Sequence, residues 1–230
     1  MNKRMLLVRR RTAIALLALI PGIAQADRNI NFQSTFEAAN TKSDGSAMDG
    51  SFEFEFGSFG DFQPTPESAS TWSNHWTPTP NSNTSPISGS RVQYSTADVP
   101  FGGPANAFQG FVTLNTNDGG FEAGKQGYFW GFDDQSLSDT SEWVLLTNDA
   151  WKFPAIAVGE VELVDLNWKT RDPGTRTIVG AVNPDFDPDA AGAQAPHMSS
   201  VLAAQTAQVP EPEVIVLGWL GLALFMRRRR

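Results

Sequence analysis

The chain has 230 residues, with 17 Lys and Arg against 25 Asp and Glu, 16 Phe, seven Trp, 20 Gly, 15 Pro and no cysteine. The lack of cysteine excludes disulfide frameworks, thiolate-bound zinc, iron–sulfur clusters and thiol nucleophiles. Nine of the basic residues and two of the acidic ones lie in the terminal segments, so residues 27–208 keep eight positive against 23 negative side chains, a net −15 that excludes nucleic acid and anionic lipid as natural partners of that region. This region is rich in Phe, Trp, Gly, Pro, Ser, Asn and Asp and poor in Leu, Lys and Glu, a balance that favours strands and turns over helices.

The first 26 residues divide into five basic groups within 1–12, an apolar run over 13–23, and Ala24-Gln25-Ala26, whose small residues suit signal peptidase with cleavage after Ala26. The apolar run covers about half of the roughly 20 residues that a spanning helix needs, which argues against an ordinary anchor. Arg9-Arg10-Arg11 sits in surroundings that match twin-arginine export poorly, so export by Sec is expected.

Beyond Ala26 the dominant signal has period two. Ile30, Phe32, Ser34 and Phe36 alternate with Asn31, Gln33 and Thr35, and Phe52, Phe54 and Phe56 with Glu53 and Glu55, as half-buried strands do. Further strands are predicted around Val92 and Tyr94, over 108–114 and over 127–132. The turn-forming run Asn115–Gly120 would join the last two as a hairpin-like unit. Residues 143–147 (Trp-Val-Leu-Leu-Thr) are continuously apolar enough for a fully buried strand. In 160–168 the apolar phase shifts, as at a β-bulge, and 176–182 is the last candidate strand. Short strands at this spacing predict a mostly β body over 27–182, an antiparallel β-sandwich of jelly-roll type.

Two stretches interrupt the pattern. Residues 64–90 are dense in Pro, Ser, Thr and Asn and read as a long solvated loop, with O-glycosylation as its functional reading. Residues 183–208 read as a linker that lifts the body off a membrane, with a short helix over 198–207.

Residues with possible chemistry are few. Asp185, Asp187 and Asp189 alternate and offer hard oxygen ligands for Ca2+, but lack the glycine and terminal glutamate of an EF-hand loop. No other cofactor is expected. Trp72 and Trp76 stand in the polar stretch and are the tryptophans expected to be exposed for stacking on a glycan, whereas Trp130, Trp143, Trp151 and Trp168 read as core. The two histidines, His75 and His197, fall in segments read as loop and linker, which argues against a Ser/His/Asp site. Glu142 and Glu160 could form a glycosidase pair, although any acidic domain offers many such pairs. No catalytic residue is assigned.

The last 22 residues set three physically different blocks in order: Val209-Pro210-Glu211-Pro212-Glu213, an apolar span over 214–226, and Arg227, Arg228, Arg229 and Arg230. As a helix the apolar span would measure roughly 20 Å, short of the roughly 30 Å hydrocarbon core, so thinning of the bilayer and snorkelling arginines must make up the difference. Four arginines resist translocation and stop transfer with the body outside. This order resembles the PEP-CTERM sorting signal of Gram-negative bacteria, with Glu213 where that family has a small or hydroxylated residue. The resemblance covers about a tenth of the chain. It implies that an exosortase, a multi-pass membrane protease-transpeptidase, recognises Pro210, Glu211 and Pro212 in cells that make extracellular polysaccharide. The expectation for the whole chain is therefore an exported, non-enzymatic protein of the cell surface or extracellular matrix. It would be held first at the inner membrane and served by signal peptidase and exosortase. A calcium-assisted glycan-binding module and a carboxylate-dependent polysaccharide enzyme are the alternatives.

Overall fold

A computed structural model describes residues 27–34, 38–80, 91–96, 106–115, 119–155, 164–187 and 196–206. Ala24 and Ala26, the tail with Pro210, Glu211, Pro212 and Arg227–Arg230, and Phe36, Glu160 and Asp189 lie outside the described residues. Among those described, no helix is long and apolar enough to cross a membrane.

In chain order the elements are β1 (Asp27–Gln33), β2 (Asn40–Thr41), β3 (Glu53–Ser58), a 3-10 turn (Pro66–Thr71) running into α1 (Trp72–His75), β4 (Thr77–Pro78), β5 (Arg91–Gln93) and β6 (Gln109–Asn115). There follow β7 (Gln126–Phe132), β8 (Glu142–Lys152), β9 (Val164–Lys169), β10 (Arg176–Val179), β11 (Ala181–Val182), β12 (Met198–Ser199), β13 (Val201–Leu202) and α2 (Ala203–Thr206). The fold is mostly β, with largely antiparallel pairing and few, short helices. One sheet has the order β6-β1-β9, with β1 antiparallel to β6 and parallel to β9. A larger sheet runs β10-β8-β7-β3-β4, with β13 added on β8 and β5 on β3. A small third sheet, β11-β12-β2, closes one edge.

The alternating strands place one apolar set between the two main sheets. Ile30 and Phe32 on β1, Val112 and Leu114 on β6 and Trp168 on β9 meet Phe54 and Phe56 on β3, Phe129 on β7 and Val144 and Leu146 on β8. Glycines make room for these rings. A Cβ at Gly127 would stand 2.4 Å from the Trp168 ring, and one at Gly131 2.4 Å from the Phe54 ring, so a side chain at either position would displace a packed aromatic group. The run Trp143–Thr147 is buried throughout, as its composition predicts, because β8 is covered on both faces.

The second face of the larger sheet carries Tyr128, Trp130, Phe132, Trp143 and Leu145, and its cover is irregular chain. Here the polar stretch departs from expectation. Residues 64–80 are part of the fold, and Trp72 is fully buried, with its ring 5.7 Å from Trp143 and 5.8 Å from Trp130. Thr65 and Ser68 close the 3-10 turn as a capping box, which explains how a Ser- and Pro-rich run forms a stable corner. Residues 81–90 lie outside the described ones.

The described part of the expected linker at 196–206 is also incorporated, since β12 pairs with β11 and β2, β13 pairs with β8, and Ala203 packs into the Trp-rich face. In place of a helix over 198–207 stand two short strands and then α2. Residues 108–114 and 127–132 form strands but not a hairpin: β6 pairs with β1, and β7 with β3 and β8 in the other sheet. Phe121, which follows the turn-forming run, is buried in the inter-sheet core. The run 176–182 breaks at Gly180, whose positive φ of 83° sends β10 and β11 into different sheets.

Candidate functional site

Thr147 and Lys152 on β8 pair with Tyr128 and Gln126 on β7, so β8 carries several extra residues between two partners only two positions apart. This bulge is held by side-chain amides. Gln126 Nε2 donates to the carbonyls of Asn148 (2.7 Å) and Trp151 (2.9 Å), while Asn148 Nδ2 donates to Pro173 O (3.0 Å) and Thr175 Oγ1 (3.1 Å). Asp149 and Ala150 are thereby pushed into solvent. Trp151 turns back into the inter-sheet core and donates its Nε1 proton to Asp172 Oδ2 at 3.0 Å.

Beside the bulge lies a polar cleft of about 450 Å³. Its lining comes from the turn at Gly60–Gln63, the loop and strand around Ala123–Tyr128, the bulge at Asp149 and Lys152, and Arg176 on β10. Three of the body's eight cations, Lys125, Lys152 and Arg176, therefore converge here. Lys125 pairs with Asp61, and this hydrogen bond raises the lysine pKa above its usual value. Arg176 Nη2 lies 3.1 Å from Asp149 Oδ1. Both aspartates are almost fully in water, so these pairs are weak and exchangeable. Lys152 has no ion-pair partner among the described residues. Tyr128 packs edge-on against Phe59 with its centroid 5.2 Å away, and burial raises its phenol pKa, so the hydroxyl stays protonated and can donate.

Other polar clusters are built for structure. The Glu55 carboxylate, nearly buried, accepts from Trp76 Nε1 (2.6 Å), Gln135 Nε2 (2.8 Å) and Arg91 Nε (3.1 Å). Glu142 accepts from Ser43 N (3.0 Å), Ser43 Oγ and Ser200 Oγ (2.7 Å), tying the loop after β2 and the segment before β13 to the start of β8. Its oxygens are taken by these donors.

The sequence-predicted site residues are dispersed. Trp72 offers no face to a ligand, and Trp76 is half-buried against Phe59 and Trp130 with its indole N–H on Glu55, so the expectation of two exposed tryptophans is not met. The reason is that polar spacing hid apolar residues which cover the sheet singly rather than periodically. Asp185 and Asp187 are exposed on either side of Phe186, which is buried on the His197 ring at 5.6 Å. Among the described residues no three metal-ligating side chains gather. Asp133 and Asp134 serve turns, accepting from Glu142 N and Ser136 N at 2.8 Å.

His75 stacks on Phe62 at 4.0 Å on the surface, and His197 is a core residue, not part of a linker. Because the carbonyl of Asn183 can only accept, His197 Nδ1 carries the proton at 2.8 Å and Nε2 accepts from Thr170 Oγ1 at 2.7 Å. The cleft itself had no spacing signal. Its cations stand at 125, 152 and 176, and nothing in their spacing sets them apart from the five other cations of the body. Compared with known proteins, the chain matches no family model, no curated protein and no solved structure.

Proposed function

We propose that this chain is a Sec-exported protein, cut after Ala26 and held at the inner membrane by residues 209–230. An exosortase then recognises it at Pro210-Glu211-Pro212 and delivers an acidic β body to the cell surface or extracellular matrix. The observation that carries the reading is the fixed order of the C-terminal blocks: Val-Pro-Glu-Pro, a short apolar span, and four arginines that stop transfer. In this reading the two main sheets form a jelly-roll-like sandwich that acts by binding or by its surface rather than by catalysis. The commitment of Glu142 to Ser43 and Ser200 supports a structural role for that carboxylate. A glycan-binding role is the second reading, favoured by the polar cleft beside the β8 bulge.

Intact-mass spectrometry of the protein from its native host, with and without the exosortase gene, tests the sorting reading. The expected result is loss of residues 1–26 in both strains and loss of the tail near Pro210-Glu211-Pro212 only where the exosortase is present. A tail retained in both strains makes the segment a plain anchor and overturns the sorting reading.

A further inference from the structure

The cleft beside the β8 bulge gathers three of the body's eight cations. The body as a whole carries a net −15, yet here Lys125, Lys152 and Arg176 balance Asp61, Asp149 and the neighbouring Glu122. Lys125 and Arg176 are each held by an aspartate in water, a pair that an entering anion can displace at little cost, and Lys152 forms no ion pair among the described residues. Between these cations stand neutral hydrogen-bonding groups: the Gln63 amide, the oxygen of the Gln126 amide whose NH2 holds the bulge, and the protonated hydroxyl of Tyr128. Gly60 and Gly124 leave open space at the rim, where a Cβ would meet nothing within 4 Å. At about 450 Å³ the opening lies within the roughly 300–1,000 Å³ of small-ligand pockets.

We propose that this cleft binds a carboxylated saccharide, a uronic acid unit within a chain. The unit's carboxylate would be placed between Lys152 and Arg176, and its hydroxyls on Tyr128, Gln126 and Gln63. A planar guanidinium and a point-charge ammonium suit a single carboxylate, with Arg176 exchanging Asp149 for the ligand. The neutral donors and acceptors suit a polyol. A dense polyanion such as nucleic acid is disfavoured, because the acidic surface around the cleft repels the charges that would lie outside it. The uronate class deepens the glycan-binding reading of the body, but its test does not depend on how the chain is sorted.

The test is titration calorimetry of the full chain in a polyoxyethylene detergent, with trigalacturonate and neutral cellotriose as probes. Trigalacturonate is expected to bind, to weaken as salt is raised from about 0.05 to about 0.5 M, and to bind at least about tenfold more weakly to Lys152→Met and Arg176→Gln. Cellotriose is expected to bind at least about tenfold more weakly than the acidic trimer. Both substituted residues are exposed, and unchanged thermal melts would confirm that the variants fold. Absence of trigalacturonate binding, equal binding of the neutral trimer, or variants that bind as the parent chain does would each overturn the proposal. Failure of exosortase-dependent processing would leave these results standing, so the two readings fail separately.

Discussion

The two faces of the larger sheet are buried by different means. Between the sheets, regular strands face regular strands, and Phe rings lie across glycines in a layer that alternation alone predicts. On the opposite face, Trp130, Trp143, Tyr128 and Phe132 are as deeply buried, but their cover is a 3-10 turn, one turn of helix and a four-residue helix near the C-terminus. The difference teaches that a polar, Pro- and Ser-rich sequence can close a core when a few large side chains do the covering. Trp72, with Phe59, Ala69 and Ala203 beside it, takes the place of a whole strand.

If the cover is as integral as the inter-sheet layer, Trp72→Ala should cost about 3–5 kcal/mol, the range for a large buried aromatic. Phe129→Ala, on the other face, should cost a similar amount. Urea denaturation of both variants checks this, and a Trp72→Ala cost well under that of Phe129→Ala would reduce the cover to a loosely attached flap. The next largest effect is expected where the cover is tied by polar groups. Glu55→Ala leaves the Trp76 indole N–H and the Gln135 amide without their acceptor and should cost about 2–3 kcal/mol, whereas Glu55→Gln, which keeps an acceptor, should cost less. A smaller effect belongs to the inter-sheet face. Gly131→Ala would drive a methyl group into the Phe54 ring and should cost about 1–2 kcal/mol by overpacking, seen as a lower midpoint with unchanged slope.

This contrast also explains what was legible in the sequence. β1 and β3 were readable from the period of two, β6 and β7 from aromatic runs bounded by turn residues, and Trp143–Thr147 because a strand covered on both sides becomes continuously apolar. The pairing was not readable. The parallel contact of β1 with β9 joins residues more than 130 positions apart, and Asn115–Gly120 looked like a hairpin turn although its flanking strands join different sheets. The covers at 64–80 and 196–206 were hidden because isolated buried residues such as Trp72, His197 and Ala203 have no period. The cleft was hidden for the same reason: its walls are a turn, a bulge and strand ends, brought together by pairing rather than by spacing.

The smallest effect separates the inter-sheet layer from the small third sheet by pH. Tyr94, in the inter-sheet cluster, has a pKa raised by burial, so that cluster does not titrate between pH 5 and 8. His197, which precedes β12 of the small third sheet and bonds to Thr170 and Asn183, has a pKa lowered below 6.5, chiefly by burial and further by the charge of Arg171, while the hydrogen bond to Asn183 opposes the shift. A histidine held neutral in the folded state binds fewer protons than its unfolded counterpart below that value. Its contribution to stability is therefore complete above pH 6.5 and is lost as the pH falls through the folded-state value. Carboxylates held low by hydrogen bonds, such as Asp49 and Glu122, weaken the fold only at more acid pH, below about 4. Urea midpoints measured between about pH 7.5 and 5 should thus fall for the parent chain and stay flatter for His197→Gln, even though that variant is less stable at pH 7.5. Parallel slopes for the two proteins would show that protonation of His197 is not coupled to unfolding.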